Sequence, residues 1–287
     1  MTFILDLNLK MKLINSSFEI LEQAPGIQGV KKQIELAGRT CYKSESKITD
    51  TSCEEFVNRM VNSGHGAMLE HGTVYLRLPN SVLYQINELS EKYYCNPYSK
   101  CRSVLEQLHT DSVFRENVCY VTTNYRVLVE NGGLDDLQYQ CEPTEHHEKR
   151  ITVKFILPIS ISREFIRHRT FSFAEQSTRY CNYSKDKFGN ELTFIKPYWY
   201  NQSNEGFESS CQYYEDTYMM AIETGLKAQE ARELLPLCTK TELVMTGFIS
   251  DWEHFFKLRC HSTAHPHARE LAVPLKEEFI RRGYINL

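Results

Sequence analysis

The sequence predicts an α+β fold: a central, mainly antiparallel sheet flanked by helices, with an inserted segment at about residues 80–150. Three observations predict it. Apolar and polar residues alternate at 73–78 and again at 151–157, the period of a half-buried strand. The last third repeats its apolar residues at helical spacing. Strands come early and helices late, which is the order of an α+β chain rather than of strictly alternating strand–helix units. At 287 residues the chain reads as one domain, 1–287, long enough to bury a substantial core.

The elements follow in order. The opening MTFILDLNLKMKL reads as strand; it lacks the charged start, long apolar stretch and small-residue cleavage site of a signal peptide. Ile27, Val30, Ile34 and Ala37 recur at helical spacing, with Gly38 near the end of that helix. Ser52 with Glu55 three residues on reads as a capping box opening a second helix, whose apolar face is Phe56, Val57, Met60 and Val61 and whose C-terminal cap is Gly64. Val74, Leu76 and Leu78 then alternate with Thr73, Tyr75 and Arg77, and Ile151, Val153, Phe155 and Leu157 repeat the pattern. The stretch between, about 80–150, is too long for a plain connection and reads as an inserted helical subdomain or lid.

Further on, Phe207, Cys211, Tyr214, Tyr218, Ile222 and Leu226 share one helix face. Ala268, Leu271, Leu275 and Phe279 share another, with Pro266 in its first turn and Pro274 inside it, where a kink or break is expected.

Composition narrows the function. Hydrophobic residues make up 41% and charged residues 24%, as in a soluble globular protein. The net charge of -4 argues against a general nucleic-acid or membrane binder, since both need a basic surface. No apolar run approaches the roughly 20 residues of a membrane span. Ten cysteines are scattered without CxxC pairs, which points to reduced thiols and a cytoplasmic protein.

The chemistry concentrates in Arg163–Tyr180, REFIRHRTFSFAEQSTRY. Arg163, Arg167, Arg169, Arg179 and His168 fall within eighteen residues, interleaved with Glu164 and Glu175. Guanidinium groups bind phosphate through paired, charge-assisted hydrogen bonds. A helix would put Arg163 and Arg167 on one face, and Ser172 could cap a helix that follows. Phe165, Ile166, Phe171 and Phe173 would hold the arginines at a partly buried anion pocket. The plainer alternative is a solvated charged face whose members pair with one another. The residues alone leave both open.

Residues 167–180 resemble the signature of the flavin-dependent thymidylate synthase family, RHR-x-x-S continuing into Glu-x-Ser-x-Arg-Tyr: Arg167, His168, Arg169, Ser172, Glu175, Ser177, Arg179 and Tyr180. GHGAMLEH at 64–71, ARELLP at 231–236 and WEHFFKLR at 252–259 are similar to its other blocks, in its order. The family's Asn before the signature Glu is Ala174 here, its Gln at 164 is Glu164, and its frequent Asn residues at 248 and 254 are Phe248 and His254.

The resemblance implies an enzyme that reductively methylates dUMP to dTMP. FAD would be its cofactor, with NADPH as reductant and 5,10-methylenetetrahydrofolate as carbon donor. It implies a homotetramer with active sites at subunit contacts. FAD contacts would come from His65, Ala67, Arg167, His168, Arg169, Glu175, Phe248, Ile249, Ser250 and His254. The dUMP contacts would come from Glu164, Arg167, Glu175, Gln176, Ser177, Thr178, Arg179, Arg232 and Arg259. Arg259 would be catalytic, its permanent charge stabilising the anionic form of the uracil ring.

Three other readings compete. Cys238, in LPLCTKT, could be a thiolate nucleophile; a small packed residue is the plainer reading, since the charges of Lys240 and Glu242 roughly cancel. Cys260, His261, His265 and His267 cluster, but their spacing fits no common zinc pattern, so no metal is expected. The non-enzyme alternative is an RNA- or nucleotide-binding module using the 163–180 arginines without catalysis.

Overall fold

The computed structural model describes residues 11–79, 90–107 and 115–286. In chain order the elements are β1 (Lys12–Ile14), β2 (Ser17–Leu21), α1 (Gly26–Tyr42), α2 (Ser52–Asn62), α3 (Gly66–Leu69), β3 (Thr73–Leu78), β4 (Lys100–Gln107), β5 (Arg115–Asn124) and α4 (Tyr125–Glu130). Then follow β6 (Arg150–Pro158), α5 (Ile159–Phe165), β7 (Ser172–Glu175), β8 (Thr193–Ile195), α6 (Glu205–Glu223), α7 (Ala228–Ala231), β9 (Lys240–Phe248), α8 (Ile249–Arg259) and α9 (Pro266–Arg281).

The antiparallel sheet β2-β6-β9-β7 is the frame of the molecule. Strand β6 pairs with β9 along its whole length, from Arg150 opposite Phe248 to Pro158 opposite Lys240. One face carries Val153, Phe155, Leu157, Leu243 and Met245, all fully buried against α5, α8 and α9 through Phe165, Trp252, Phe255 and Phe279. Each such aromatic contributes about 1.5–3 kcal/mol of burial free energy. The rings of Phe155, Phe165 and Phe255 meet edge to face at 5.2 and 4.9 Å. The other face is covered by α1 and α3 and mixes small apolar groups (Ala37, Ala174, Val244) with a polar row, Thr152, Thr246 and His71. Two smaller sheets complete the described fold. β3-β5-β4 is antiparallel and shares a second core with α1 and α2, while β1 and β8 pair in parallel beside α6. The sheets are thus mainly antiparallel, flanked by helices, as the α+β prediction has it.

Several local expectations change. Within the 80–150 stretch the described residues are largely strand rather than helix: they supply β4 and β5, which extend β3 into a sheet, followed by the short helix α4. Tyr and Cys, numerous there, suit strands, and the alternation was masked because most of β5 is buried on both faces. Ser52 forms no capping box. Its hydroxyl donates to Glu35 Oε2 at 2.8 Å, and the Thr51 side chain caps nothing. Gly64 does terminate α2, at φ 69°, with His65 N bonded to Met60 O.

On α6 the inward face turns through Glu215 rather than Tyr214. Glu215 is buried and accepts from Leu192 N at 2.7 Å, whereas Tyr214 is exposed and Leu226 lies beyond the helix end. Helix α9 begins at Pro266 and runs through Pro274 without a break. Helix α1 continues one turn past Gly38, which is the point where Phe56 crosses it; a Cβ there would sit 2.5 Å from that ring. Of the expected N-terminal strand, 1–10 lie outside the described residues, and Lys12–Ile14 are strand. No helix among the described residues is long and apolar enough to cross a membrane.

Candidate functional site

The 163–180 segment is placed by its apolar residues. Strand β6 runs straight into α5, whose Phe165 locks into the core. The chain then turns tightly, His168 N bonding Phe165 O and Phe171 N bonding His168 O at 3.1 Å each. Phe171 plugs into Trp252 at 4.7 Å, and β7 joins the sheet beside β9. The anchors are therefore Phe165 and Phe171; Ile166 stays exposed.

This corrects four expectations. Helix α5 ends at Phe165, so Arg163 and Arg167 do not share a helix face. Ser172 begins a strand instead of capping a helix, and its buried hydroxyl accepts from Arg150 Nη2 at 3.2 Å. Arg163, Arg167, Arg169 and Arg179 are exposed on the chain rather than partly buried. Nor do they pair with the interleaved acids: Glu164 binds Arg259, and Glu175 accepts from Thr241 Oγ1. Among the described residues none of these four arginines has a carboxylate within salt-bridge distance, while Arg179 rests on the Tyr180 ring at 5.2 Å.

Arg259, the last residue of α8, joins two parts of the segment. Its Nη1 donates to Glu164 Oε2 at 2.8 Å, its Nη2 to the Glu164 carbonyl at 2.6 Å and its Nε to His168 Nε2 at 2.9 Å. His168 is buried among Phe171, Phe255 and His254. Burial, with the Arg259 and His254 charges adding to it, pulls its pKa down to about 4, so it is the neutral acceptor this contact needs.

A groove of about 470 Å³ lies beside this cluster. It brings together Arg163 and Ile166, the strip Glu175–Gln176–Ser177–Thr178, and Arg232 from the turn after α7. Burial raises the Glu175 pKa, against the hydroxyls of Ser162 and Thr241 and the charge of Arg163. Gln176 is fixed at both ends, its N donating to Glu242 O at 2.8 Å and its Oε1 accepting from Lys240 Nζ at 3.0 Å. Arg259, Arg167 and Arg179 are not part of the groove wall.

Phe248, Ile249 and Ser250 form a third locus at the start of α8. Phe248 is buried, with Lys100 and Arg150 over its ring at 4.6 and 5.5 Å. Ser250 Oγ accepts from Lys100 Nζ, and Ser250 N donates to Glu148. His65 and Ala67 are exposed at the turn into α3. The structure thus gathers Glu164, His168, His254 and Arg259 in one cluster and Glu175–Thr178 with Arg232 in another.

Sequence reasoning missed Arg150. This wholly buried guanidinium bonds the Glu70 carbonyl at 3.0 Å, Thr73 Oγ1 at 3.3 Å and Ser172 Oγ. It therefore joins the 64–71 block, the 167–180 signature and Phe248. Its one signal was a charge at the head of an apolar strand. Lys240 and Glu242 do not simply cancel: Lys43 and Lys154 also converge on the Glu242 carboxylate. Ala174, in place of the family's Asn, is buried against Ala37 and Val244.

Cys238 packs beside Cys211 and Leu235, and Lys240 serves Glu242 and Gln176. Among the described residues no three His, Cys, Asp or Glu side chains gather in a way that could hold a metal ion. His265 caps α9 and His267 bonds Ser16 at 2.7 Å.

The donor set suits an anionic, phosphate-bearing cofactor: Arg167 and Arg169 are exposed and carry no internal counter-charge, next to a neutral imidazole. Phe248 fits less well as a contact, because its ring is already covered.

A profile of the family described as "Thymidylate synthase complementing protein" matches residues 141–282. A flavin-dependent thymidylate synthase of Synechocystis sp. is 30% identical over 146 residues, covering 46% of this chain and 66% of the relative. One from Geobacter sulfurreducens is 32% identical over 114 residues, covering 40% and 49%. The chain spans about half to two thirds of the length of these curated relatives. A UMP/dUMP methylase PolB from Streptomyces cacaoi, solved with 5-Br UMP, aligns over 94% of this chain and 92% of its own at 15% identity and a TM-score of 0.44, a likeness that adds nothing to the fold described above.

Proposed function

Because the chain belongs, through residues 141–282, to the family of thymidylate synthase complementing proteins, we propose that it is a flavin-dependent thymidylate synthase. It would methylate dUMP to dTMP, with FAD as cofactor, NADPH as reductant and 5,10-methylenetetrahydrofolate as carbon donor. The observation that carries this reading is Arg259 held in place by Glu164 and a neutral His168, beside a groove walled by Arg163, Arg232 and the 175–178 strip.

The dUMP phosphate would sit in that groove, where Arg163, Arg232 and the Ser177 and Thr178 hydroxyls offer charge-assisted and neutral hydrogen bonds. Three of Arg259's N–H groups are committed within the chain and two remain to meet the pyrimidine. A permanently charged guanidinium there favours the anionic form of the ring and raises the nucleophilicity of its carbon. No cysteine nucleophile is required, in keeping with the packed Cys238. Arg167 and Arg169, with His168 between them, would hold FAD; the chemistry it supplies when bound is redox, accepting a hydride from NADPH and giving it up to the transferred one-carbon unit. Exposed, uncompensated arginines are also what a site completed by neighbouring subunits would present, which supports a homotetramer.

The test is direct. Purified protein should be yellow, bleach with NADPH under anaerobic conditions, and form dTMP. Arg259→Ala should keep the flavin spectrum and lose dTMP formation. Colourless protein that binds nucleotide without turnover would favour the non-catalytic module instead.

A further inference from the structure

We infer that Glu164 is a positioning residue for Arg259 and not itself a nucleotide contact; this rests on the function proposed above. An arginine at the last position of a helix has four rotatable bonds to fix. Arg259 is nonetheless fixed at three points, and two of them belong to Glu164: its carboxylate at 2.8 Å and its carbonyl at 2.6 Å. The third, His168 Nε2, is four residues further along the same turn. The turn thus sets the plane of the guanidinium, and the same turn carries Arg163 into the groove wall. Placement by a rigid fork is what a planar guanidinium gains from such a set of acceptors.

Glu164 is already engaged through both its carboxylate and its carbonyl. A nucleotide could meet only the lone pairs that Arg259 leaves free, so what sets Glu164 apart is its hold on Arg259 through two separate acceptors. The side chain is also flanked by groove residues in sequence, Arg163 and Ile166, without joining the groove wall itself. Its hydrogen-bonding requirement is for an acceptor at the right reach, which a carboxamide oxygen supplies as well as a carboxylate. Aspartate keeps the charge but is one methylene too short.

The decisive comparison is therefore Glu164→Gln against Glu164→Asp, with steady-state kinetics in dUMP. Glu164→Gln should keep kcat within about threefold of wild type, and Glu164→Asp should lose at least about tenfold in kcat, the effect of one lost hydrogen bond. The KM for dUMP should change less than about threefold in both. The reverse order, an active Asp and an inactive Gln variant, would overturn the inference. So would a tenfold rise in KM with kcat retained, the pattern of a direct ligand. A second readout does not depend on turnover. The Arg259 Nε–H resonance in a 1H–15N spectrum should stay protected in Glu164→Gln and be lost in Glu164→Asp; protection in both would overturn the inference even if wild-type protein made no dTMP, an outcome that would defeat only the function proposed above.

Discussion

Arg259 Nε donates to His168 Nε2 across 2.9 Å, joining two residues 91 positions apart in the chain. A guanidinium can only donate, so the imidazole must present a lone pair at Nε2 and carry its proton on Nδ1. The contact therefore fixes both the charge and the tautomer of a histidine inside the signature segment.

From this follows a pH prediction. Burial, reinforced by Arg259 and His254, lowers the His168 pKa from the ordinary 6.5 to about 4. The unfolded chain binds this proton more readily than the folded one between those values, so stability contributed by neutral His168 is present above about 6.5 and is lost as pH falls toward 4. A 15N spectrum of labelled histidine should show the Nδ1–H tautomer for His168 from pH 8 to pH 5. A His168 signal that titrates near 6.5 would contradict the geometry.

Glu242 gives a second pH-dependent term at lower pH. Burial works to raise its pKa, but the ammonium groups of Lys240, Lys154 and Lys43 outweigh burial and hold it at about 2. Its contribution is therefore present above the ordinary value of 4.5 and lost as pH falls from there toward 2. Glu242→Gln leaves three converging lysines without their shared counter-charge, and should cost about 3 kcal/mol at pH 7 by chemical denaturation. It should also weaken dUMP binding, because Lys240 and the Glu242 carbonyl hold Gln176 in the groove wall. Unchanged stability would mean that the lysines find other partners.

Arg150 tests the buried junction. Lysine at this position keeps the charge but offers one compact ammonium in place of a planar fork, and it cannot serve Glu70 O, Thr73 Oγ1 and Ser172 Oγ together while covering Phe248. Arg150→Lys should lower stability by about 2 kcal/mol, in the range of a buried polar group left unpaired. A melting temperature equal to wild type would show that the junction does not need the fork.

These sites also show what a linear reading reaches. The strands at 73–78 and 151–157 were legible because Thr73, Tyr75 and Arg77, and later Thr152 and Lys154, fall between apolar residues at every second position, and the 167–180 signature was legible because eight specified positions fall close together. The 80–150 stretch was not, because a strand buried on both faces loses its alternation. Nor were the partners of Glu164 and Ser172. Within a cluster of arginines, sequence spacing favours neighbours four residues away, whereas the fold supplies Arg259 from 95 residues downstream and Arg150 from 22 upstream. Pro274 was read as a breaker, but packing of Leu271, Leu275 and Phe279 on the sheet carries the helix through it.

Gly247 ties the core to the cluster. It lies in β9 opposite Ile151, and a Cβ built there would stand 2.6 Å from the ring of Phe171. That ring cannot retreat easily, because Trp252 meets it at 4.7 Å and Phe173 and Phe255 lie close by. Phe171 also faces His168, at 6.2 Å and nearly perpendicular. Gly247→Ala should therefore cost about 1–3 kcal/mol as an overpacked core. The displaced ring should disturb His168 and, through it, the Nε contact of Arg259. The expected result is a lowered melting temperature together with a reduced kcat for dTMP formation in the fraction that remains folded. Phe171→Leu in the same chain makes room for the new methyl group and should return part of both losses. Gly247→Ala with wild-type stability would show that β9 shifts to admit the methyl group, and that Phe171 does not transmit strain to His168.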